Sequence, residues 1–333
     1  MTSFKRMAVL AALAASLMAG TAAQAADTRI ALVVKSLGNG FFDAANKGAE
    51  EAAKEIGGTE IIYTGPTSTT AEGQIEVINS LISQKVDAIA VSANDPDALV
   101  PALKKAMQRG IKVISFDSGV APAGRILQLN PSSNPLIGET CLKLAADALP
   151  EGKGEIAILS ATATSTNQNI WIAEMKKAMP KFPGLKLVAT VYGDDLSDKS
   201  YRETQALLKS HPEVKVIVAP TSVGIVAAAQ AVKDAGKIGE VHVTGLGLPS
   251  EMAGAIKSGA SKSFAIWNPI DLGYSAAMLA SDLVKKDQSQ VKAGDKLAAG
   301  RMGEITIGEG GEAAMSVPFT YDASNIDQFS KIF

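Results

Sequence analysis

Apolar positions along this chain form short continuous runs, separated by longer stretches in which they recur every three or four residues. Runs at 30–34, 60–63, 88–92 and 113–116 are rich in β-branched side chains, and 125–129 forms a further one. Residues 43–56, 70–84 and 96–109 carry helical periodicity between them. Strands that are apolar throughout, rather than alternating, are covered on both faces. The order strand, helix, strand therefore predicts βαβ units and a parallel sheet.

The pattern then restarts. Strands are predicted at 156–159, 187–191, 214–218, 241–244 and 263–267, with helices at 166–178, 199–208, 222–235 and 251–258. Gly110 and Gly236 stand where helices end. Asp95-Pro96 reads as an oxygen cap followed by proline in a first turn. The turn-rich stretch Asn130-Pro131-Ser132-Ser133 marks a boundary. Asn268-Pro269 breaks the chain before a helix at 271–284, 288–300 reads as loop, 303–307 as a weak strand and 318–333 as mostly irregular. The expected division is an export signal over 1–25, a first lobe of 26–130 plus 268–298, and a second of 131–267 plus 299–333. Two α/β lobes crossed several times by the chain leave a cleft suited to hinge closure.

Composition narrows the function. The 333 residues are 47% hydrophobic and 20% charged, with a formal net charge of −2, so no basic surface argues for nucleic acid. Lys5 and Arg6 precede an apolar run over 7–20, and Ala23-Gln24-Ala25 offers a small-x-small cleavage site, so a cut is expected after Ala25. No cysteine follows that cut to carry a lipid. Cys141 is the single cysteine, in a helical pattern among apolar residues, and reads as a buried structural thiol. The two histidines, His211 and His242, have no second ligand at metal spacing and read as structural, so no metal or cofactor is expected.

Open α/β sheets bind ligands at the carboxyl ends of their strands. Lys35, Asn39, Phe41 and Phe42 follow the first strand, in the run Lys35-Ser-Leu-Gly-Asn-Gly-Phe-Phe42. Two consecutive phenylalanines at a helix start cannot both enter the core, so at least one should face the mouth. Asp117 follows the strand at 113–116 and can accept hydrogen bonds from hydroxyls, or cap a turn. Ser165-Thr-Asn-Gln-Asn-Ile-Trp171 opens a helix after the strand at 156–159 and offers Asn167, Gln168 and Trp171. Pro220, Thr221 and Ser222 end the strand at 214–218, where the hydroxyls can face the mouth or cap the next helix. Trp267 and Asn268 end the last strand. Aromatic residues are only 5% of the chain, and both tryptophans fall at expected cleft edges. Aromatic faces beside amides and a carboxylate are what a sugar site needs.

Other chemistries fit less well. Gly38-Asn39-Gly40 and Gly245-Leu246-Gly247 lack the rest of a dinucleotide fingerprint, and no P-loop or nucleophile elbow is present. A glycoside hydrolase would need a second carboxylate beside Asp117, and none stands out among the expected cleft residues. A sugar-responsive transcription regulator would carry a DNA-binding domain where the export signal stands.

At these residues the chain resembles the periplasmic sugar-binding proteins of ATP-driven importers, and more narrowly the rhamnose-binding branch, close to the autoinducer-2 receptors and ribose-binding proteins. The resemblance spans the mature chain and is carried by IALVVKSLGNGFFDAANKGAEEAAKE, AIAVSANDPDALVPALKKAMQRGIKVISFDSG, STNQNIW, VIVAPTSVGIVAAAQAV and FAIWNPIDLGYSA. It implies a type I periplasmic binding protein fold, two Rossmann-like lobes with parallel sheets joined by a multi-strand hinge. It implies sugar contacts at Asn39, Phe41, Phe42 and Asp117, at Asn167 and Gln168, at Thr221 or Ser222, and near Trp267. Autoinducer-2 receptors share Lys35, Asp117, Gln168 and Pro220 but carry aspartate at the position of Asn167 and alanine at that of Ser222. Ribose-binding relatives carry an arginine in the Asn167–Gln168 stretch and an aspartate at the position of Gly247. The implied protein is a monomeric periplasmic receptor, not an enzyme, that delivers a sugar to the membrane permease of an ABC importer. L-rhamnose, a 6-deoxyhexose, suits the aromatics and the missing charges; autoinducer-2 or another pentose or hexose is the alternative.

Overall fold

The computed structural model describes residues 27–333, so the expected export signal and its cut after Ala25 lie outside the described residues. Its first half builds a sheet from β1 (Thr28–Val33), β2 (Thr59–Thr64), β3 (Ala88–Val91), β4 (Lys112–Phe116) and β5 (Leu127–Ser132). A late strand, β13 (Glu312–Ser316), pairs in parallel with β5 and completes the order β13-β5-β4-β3-β1-β2. Every pairing in this sheet is parallel. All residues of β3 and β4 are buried, which is why those segments read as unbroken apolar runs.

Helices α1 (Gly40–Ile56), α2 (Ala71–Gln84) and α3 (Val100–Gln108) connect these strands. Side-chain oxygens cap two of them: Asn39 accepts from the Phe41 amide, and Thr70 from that of Gly73. Asp95 caps the turn after β3, accepting from Asp97 and Ala98, but regular helix begins only at Val100 rather than at the expected Pro96. Gly110 and Gly236 do follow helices, at φ 86° and 69°.

The second sheet has the order β7-β6-β8-β9, from β6 (Gly154–Ser160), β7 (Leu185–Tyr192), β8 (Val214–Ala219) and β9 (His242–Gly245). A bridge from Leu246 to Ala265 adds β10 (Ser263–Ile266) beside β9, and β14 (Phe319–Asp322) pairs antiparallel with β10. Helices α4 (Asn134–Ala148), α5 (Thr166–Ala178), α6 (Ser197–Ser210), α7 (Ser222–Asp234) and α8 (Pro249–Ser258) cover it. Cys141 is fully buried in α4, and burial pushes its thiol up to about 12. His242 is a buried residue of β9, and His211 follows the end of α6.

After β10 the chain returns to the first sheet as α9 (Pro269–Lys285), which packs on α1, β1, β3 and β4; an antiparallel pair follows, β11 (Lys296–Ala298) inside the stretch expected as loop and β12 (Glu304–Thr306) at the expected weak strand. The two helices cross at glycines. A Cβ on Gly48 would lie 1.8 Å from the carbonyl oxygen of Ile270, and one on Gly273 would lie 1.8 Å from that of Ala45. No side chain larger than hydrogen fits either position.

The chain thus passes between the two sheets after β5, after β10 and after β13. The third passage corrects the expected division. Residues 299–333 were expected to lie wholly with the second lobe, yet β13 is the edge strand of the first sheet. The run Glu312-Ala-Ala-Met-Ser316 carries no β-branched residue to announce a strand; its place is set by pairing with β5. Asn130-Pro131 likewise lies inside β5 rather than in a turn.

Candidate functional site

Both sheets reverse strand order at a defined point. In the first, β2 and β3 flank β1; in the second, β7 and β8 flank β6. Connections on either side of such a point diverge and leave a crevice at the carboxyl ends of the strands. Residues after β1 and β4 meet residues after β6, β7, β8, β9 and within β10 around one cavity. About 380 Å³ of its space is unfilled by atoms, and it is lined by Lys35, Asn39, Phe41, Phe42, Asp117, Asn167, Gln168, Trp171, Asp195, Pro220, Thr221, Ser222, Leu246, Ile266 and Trp267. Ligand pockets set a few placed polar groups among apolar ones, and this lining has that mix.

One wall is aromatic. The Phe41 and Phe42 centroids are 5.2 Å apart, Phe41 and Trp267 6.2 Å, and Trp267 and Trp171 5.5 Å, all edge to face. This row starts on α1 beside the first sheet and ends on α5 beside the second. The indole N–H of Trp171 donates to Asn134 at 2.9 Å. The Trp267 indole N–H is buried and has no hydrogen-bond partner among the described residues. An unmet buried donor costs free energy, about 1–3 kcal/mol, unless something else accepts from it.

Beside these rings the lining is polar and joins residues of the two halves. Asn167 Oδ1 accepts from Lys35 Nζ at 3.0 Å, from Ser165 Oγ at 3.0 Å and from the Gln168 amide at 2.8 Å. Its Nδ2 donates to Asp117 Oδ1 at 2.9 Å. Lys35 Nζ also donates to Ser165 Oγ at 2.8 Å, and Ser92 Oγ donates to Asp117 Oδ2 at 2.8 Å. Asp117 has φ 56°, a left-handed conformation that aspartate tolerates better than most residues. Burial raises its carboxyl above the ordinary range; Lys35, Ser92 and Asn167 pull it back, and the charge of Asp195 pushes it up again.

Gln168 Oε1 accepts from Ser160 Oγ at 2.9 Å and the Ala161 amide at 2.7 Å, which fixes the side chain with its amide nitrogen free of protein acceptors among the described residues. Thr221 caps α7 by accepting from the Gly224 amide at 3.1 Å and donates its own proton to Asp195. Further contacts bind the rims: Thr164 Oγ1 donates to the Asn94 carbonyl at 2.9 Å, and Thr69 Oγ1 to that of Asp194 at 2.8 Å.

Of the site residues expected from sequence, the structure gathers all around this cavity except Asn268. Asn268 Oδ1 accepts from the Ile270 amide at 2.9 Å and its Nδ2 donates to Asp271 at 2.7 Å, so its side chain is spent on capping α9. Phe41 and Phe42 both line the cavity, where at least one is expected, and both are also buried in the core, which the sequence reading held they could not be. Sequence reasoning missed Leu246, Ile266 and Asp195. The last matters most, because Asp117 was read as having no second carboxylate nearby. Asp195 follows β7 and was findable by the same strand-end rule that found Asp117. Among the described residues, no group of three His, Cys, Asp or Glu could hold a metal ion, and no helix is long and apolar enough to cross a membrane.

The periplasmic binding protein domain matches residues 30–288 of this chain. A D-ribose/D-allose-binding protein of Pseudomonas aeruginosa is 33% identical over 226 residues, 65% of this chain and 70% of that protein. An ABC transporter solute-binding protein of Clostridium phytofermentas, solved with bound L-rhamnose, is 38% identical with a TM-score of 0.87, over 92% of this chain and 99% of the other. LsrB from Clostridium saccharobutylicum, in complex with AI-2, shares the fold at 24% identity and a TM-score of 0.85, over 91% of this chain and 99% of that one.

Proposed function

The chain belongs to the periplasmic binding protein family, and from that premise we propose that it is the exported sugar receptor of an ABC importer, with L-rhamnose as its ligand. The observation that carries this reading is the meeting of aromatic rings and hydrogen-bonding groups around one cavity. Four aromatic rings form a contiguous row, while Asp117, Asn167, Gln168 and Lys35 bring hydrogen-bonding groups to the same lining. Sugar C–H faces stack on such rings, and carboxylates and amides take up the hydroxyls. The rhamnose-bound relative, alike over nearly its whole length, supports the choice among monosaccharides.

In this reading the first lobe is 27–132 with 269–316, and the second is 133–268 with 317–333. Sugar bridges the lobes at their switch points, the three crossing segments bend, and the closed form meets the permease in the periplasm. No bond of the sugar is broken.

Titration calorimetry tests the reading. Mature protein is unfolded and refolded to strip any host sugar, then titrated with L-rhamnose, D-ribose, D-allose and autoinducer-2. Tight one-to-one binding of L-rhamnose, with the others at least tenfold weaker, is the expected result. Preference for any of the others overturns rhamnose and keeps the receptor; no binding by a panel widened to all common pentoses and hexoses overturns the sugar site.

A further inference from the structure

Asp117 and Asp195 share an unusual placement. Each follows a strand at its carboxyl end, β4 in the first sheet and β7 in the second, and each holds a left-handed backbone, at φ 56° and 54°. Asp194 beside Asp195 is also left-handed, at φ 56°. Two consecutive non-glycine residues in this region are uncommon. The turn they make puts the Asp195 side chain on the cavity lining, where it accepts from Thr221.

The ionisable residues lining the cavity are Lys35, Asp117 and Asp195, which sum formally to one negative charge. The Lys35 ammonium is hydrogen-bonded to Ser165 and Asn167, not to either carboxylate. Each carboxylate has about four lone-pair sites. Asp117 fills two, from Ser92 and Asn167, and Asp195 fills one, from Thr221. Acceptor capacity is thus left over on the carboxylate that each half brings to the cavity. A second feature points to a ligand there: the unmatched indole N–H of Trp267, on a side chain only 3% exposed, lines the same cavity.

We propose that Asp195 is a specificity-determining binding residue, which with Asp117 forms an opposed pair of acceptors, one from each lobe, that a neutral polyol bridges with its hydroxyl protons. The inference rests on the reading of this cleft as a sugar site. It assigns the second lobe a carboxylate partner for the ligand. It also explains why closure should wait for ligand: bringing two like charges into one water-poor space is unfavourable, and hydroxyl donors placed between them offset it. An anionic ligand such as a sugar acid would add a third negative charge and is rejected.

Asp195→Asn removes the charge and keeps the shape, and asparagine accepts left-handed backbone as readily as aspartate. Two measurements are made on refolded wild type and D195N. Calorimetry with L-rhamnose, D-ribose and D-allose is expected to show a loss of about tenfold or more for the sugar that wild type prefers, the size of losing a charge-assisted hydrogen bond. Small-angle scattering without sugar, at low salt, is expected to show D195N more compact on average than wild type. Unchanged affinity in D195N, with wild type binding well, overturns the acceptor role alone. Wild type that binds no sugar of the panel overturns the sugar reading, and the acceptor role with it. Identical sugar-free scattering profiles overturn the opposed-charge account of closure.

Discussion

Asn167 donates from Nδ2 to Oδ1 of Asp117 over 2.9 Å, and so ties a helix start in one lobe to a strand end in the other. Its Oδ1 meanwhile accepts from Lys35, Ser165 and the Gln168 amide. Only the nitrogen of this side chain faces the carboxylate. Asn167→Asp keeps every bond to the oxygen and replaces that nitrogen with a second negative oxygen. Two carboxylates at hydrogen-bond distance cannot both ionise readily and titrate as a pair sharing one proton. Sugar affinity in N167D is therefore expected to fall by about tenfold or more at pH 7.5, and to recover part of that loss at pH 5, where the shared proton is retained. Calorimetry of wild type and variant at the two pH values checks this; a loss of the same size at both would remove the shared-proton account.

The raised proton affinity of Asp117 has a consequence for stability. A carboxyl whose folded value lies above its ordinary 3.8 stabilises the fold most below that ordinary value, and the advantage is lost as pH rises through the folded value. At pH 7 the buried charge therefore works against the fold. Asp117→Asn removes the charge while asparagine tolerates the φ of 56°. Sugar-free D117N is expected to melt about 1–3 °C above wild type at pH 7, with the gain fading as pH falls through the raised folded value and gone below the ordinary aspartate value. Sugar binding is expected to be lost over the whole range. A melting temperature lower than wild type at pH 7 would mean that the bonds from Ser92 and Asn167 outweigh the burial of the charge.

The alternation of buried strands and amphipathic helices was legible because β1, β3, β4, β6 and β8 are apolar nearly throughout, a pattern only a sheet covered on both faces produces. Once the strands are placed, the strand-end rule finds Lys35, Asp117, Asn167 and Thr221. The errors have separate causes. Asn268 stands before a proline at a helix start, where an N-cap and a site residue look alike, and here the cap explains the side chain fully. Asp195 sits in Gly193-Asp-Asp-Leu-Ser-Asp198, which reads as a solvated turn after an edge strand whose residues are mostly half-buried. Strand β13 is specified by its neighbour β5 rather than by its own residues, so its sheet could not be read locally.

Trp267 separates two contributions that sequence cannot. Its ring belongs to the aromatic row, 6.2 Å from Phe41 and 5.5 Å from Trp171, and its N–H lacks a protein acceptor. Trp267→Phe keeps an aromatic face and removes the donor. If a sugar oxygen accepts from that N–H, affinity in the variant should drop by about two- to tenfold, the span of one ordinary hydrogen bond, with the protein still folded. Trp267→Ala should cost far more, because it also opens the wall. The chain's two tryptophans both line the cavity, so intrinsic fluorescence reads binding directly in wild type and, through Trp171, in each variant. Equal affinity in W267F and wild type would leave only packing as the role of this residue.

His242 gives a pH dependence that is independent of the sugar. It lies in β9 at 9% exposure, and its Nδ1 is buried without a partner among the described residues. Burial, and then the nearby Lys262, lower its affinity for a proton below the ordinary 6.5. The folded chain keeps the ring neutral at a pH where the unfolded chain already protonates it. Such a group stabilises the fold fully above its unfolded value, and that stabilisation is lost as pH falls through 6.5 toward the folded value. The contribution of His242 should therefore lower the melting temperature of the sugar-free protein at pH 5.5 relative to pH 7.5. His242→Leu should flatten this slope, because leucine fits a buried strand position and has no proton to gain. The residue does not line the cavity, so the variant should bind sugar as wild type does at pH 7.5. Melts of both proteins across this range decide the matter: a slope equally steep in H242L would move the pH dependence to another group.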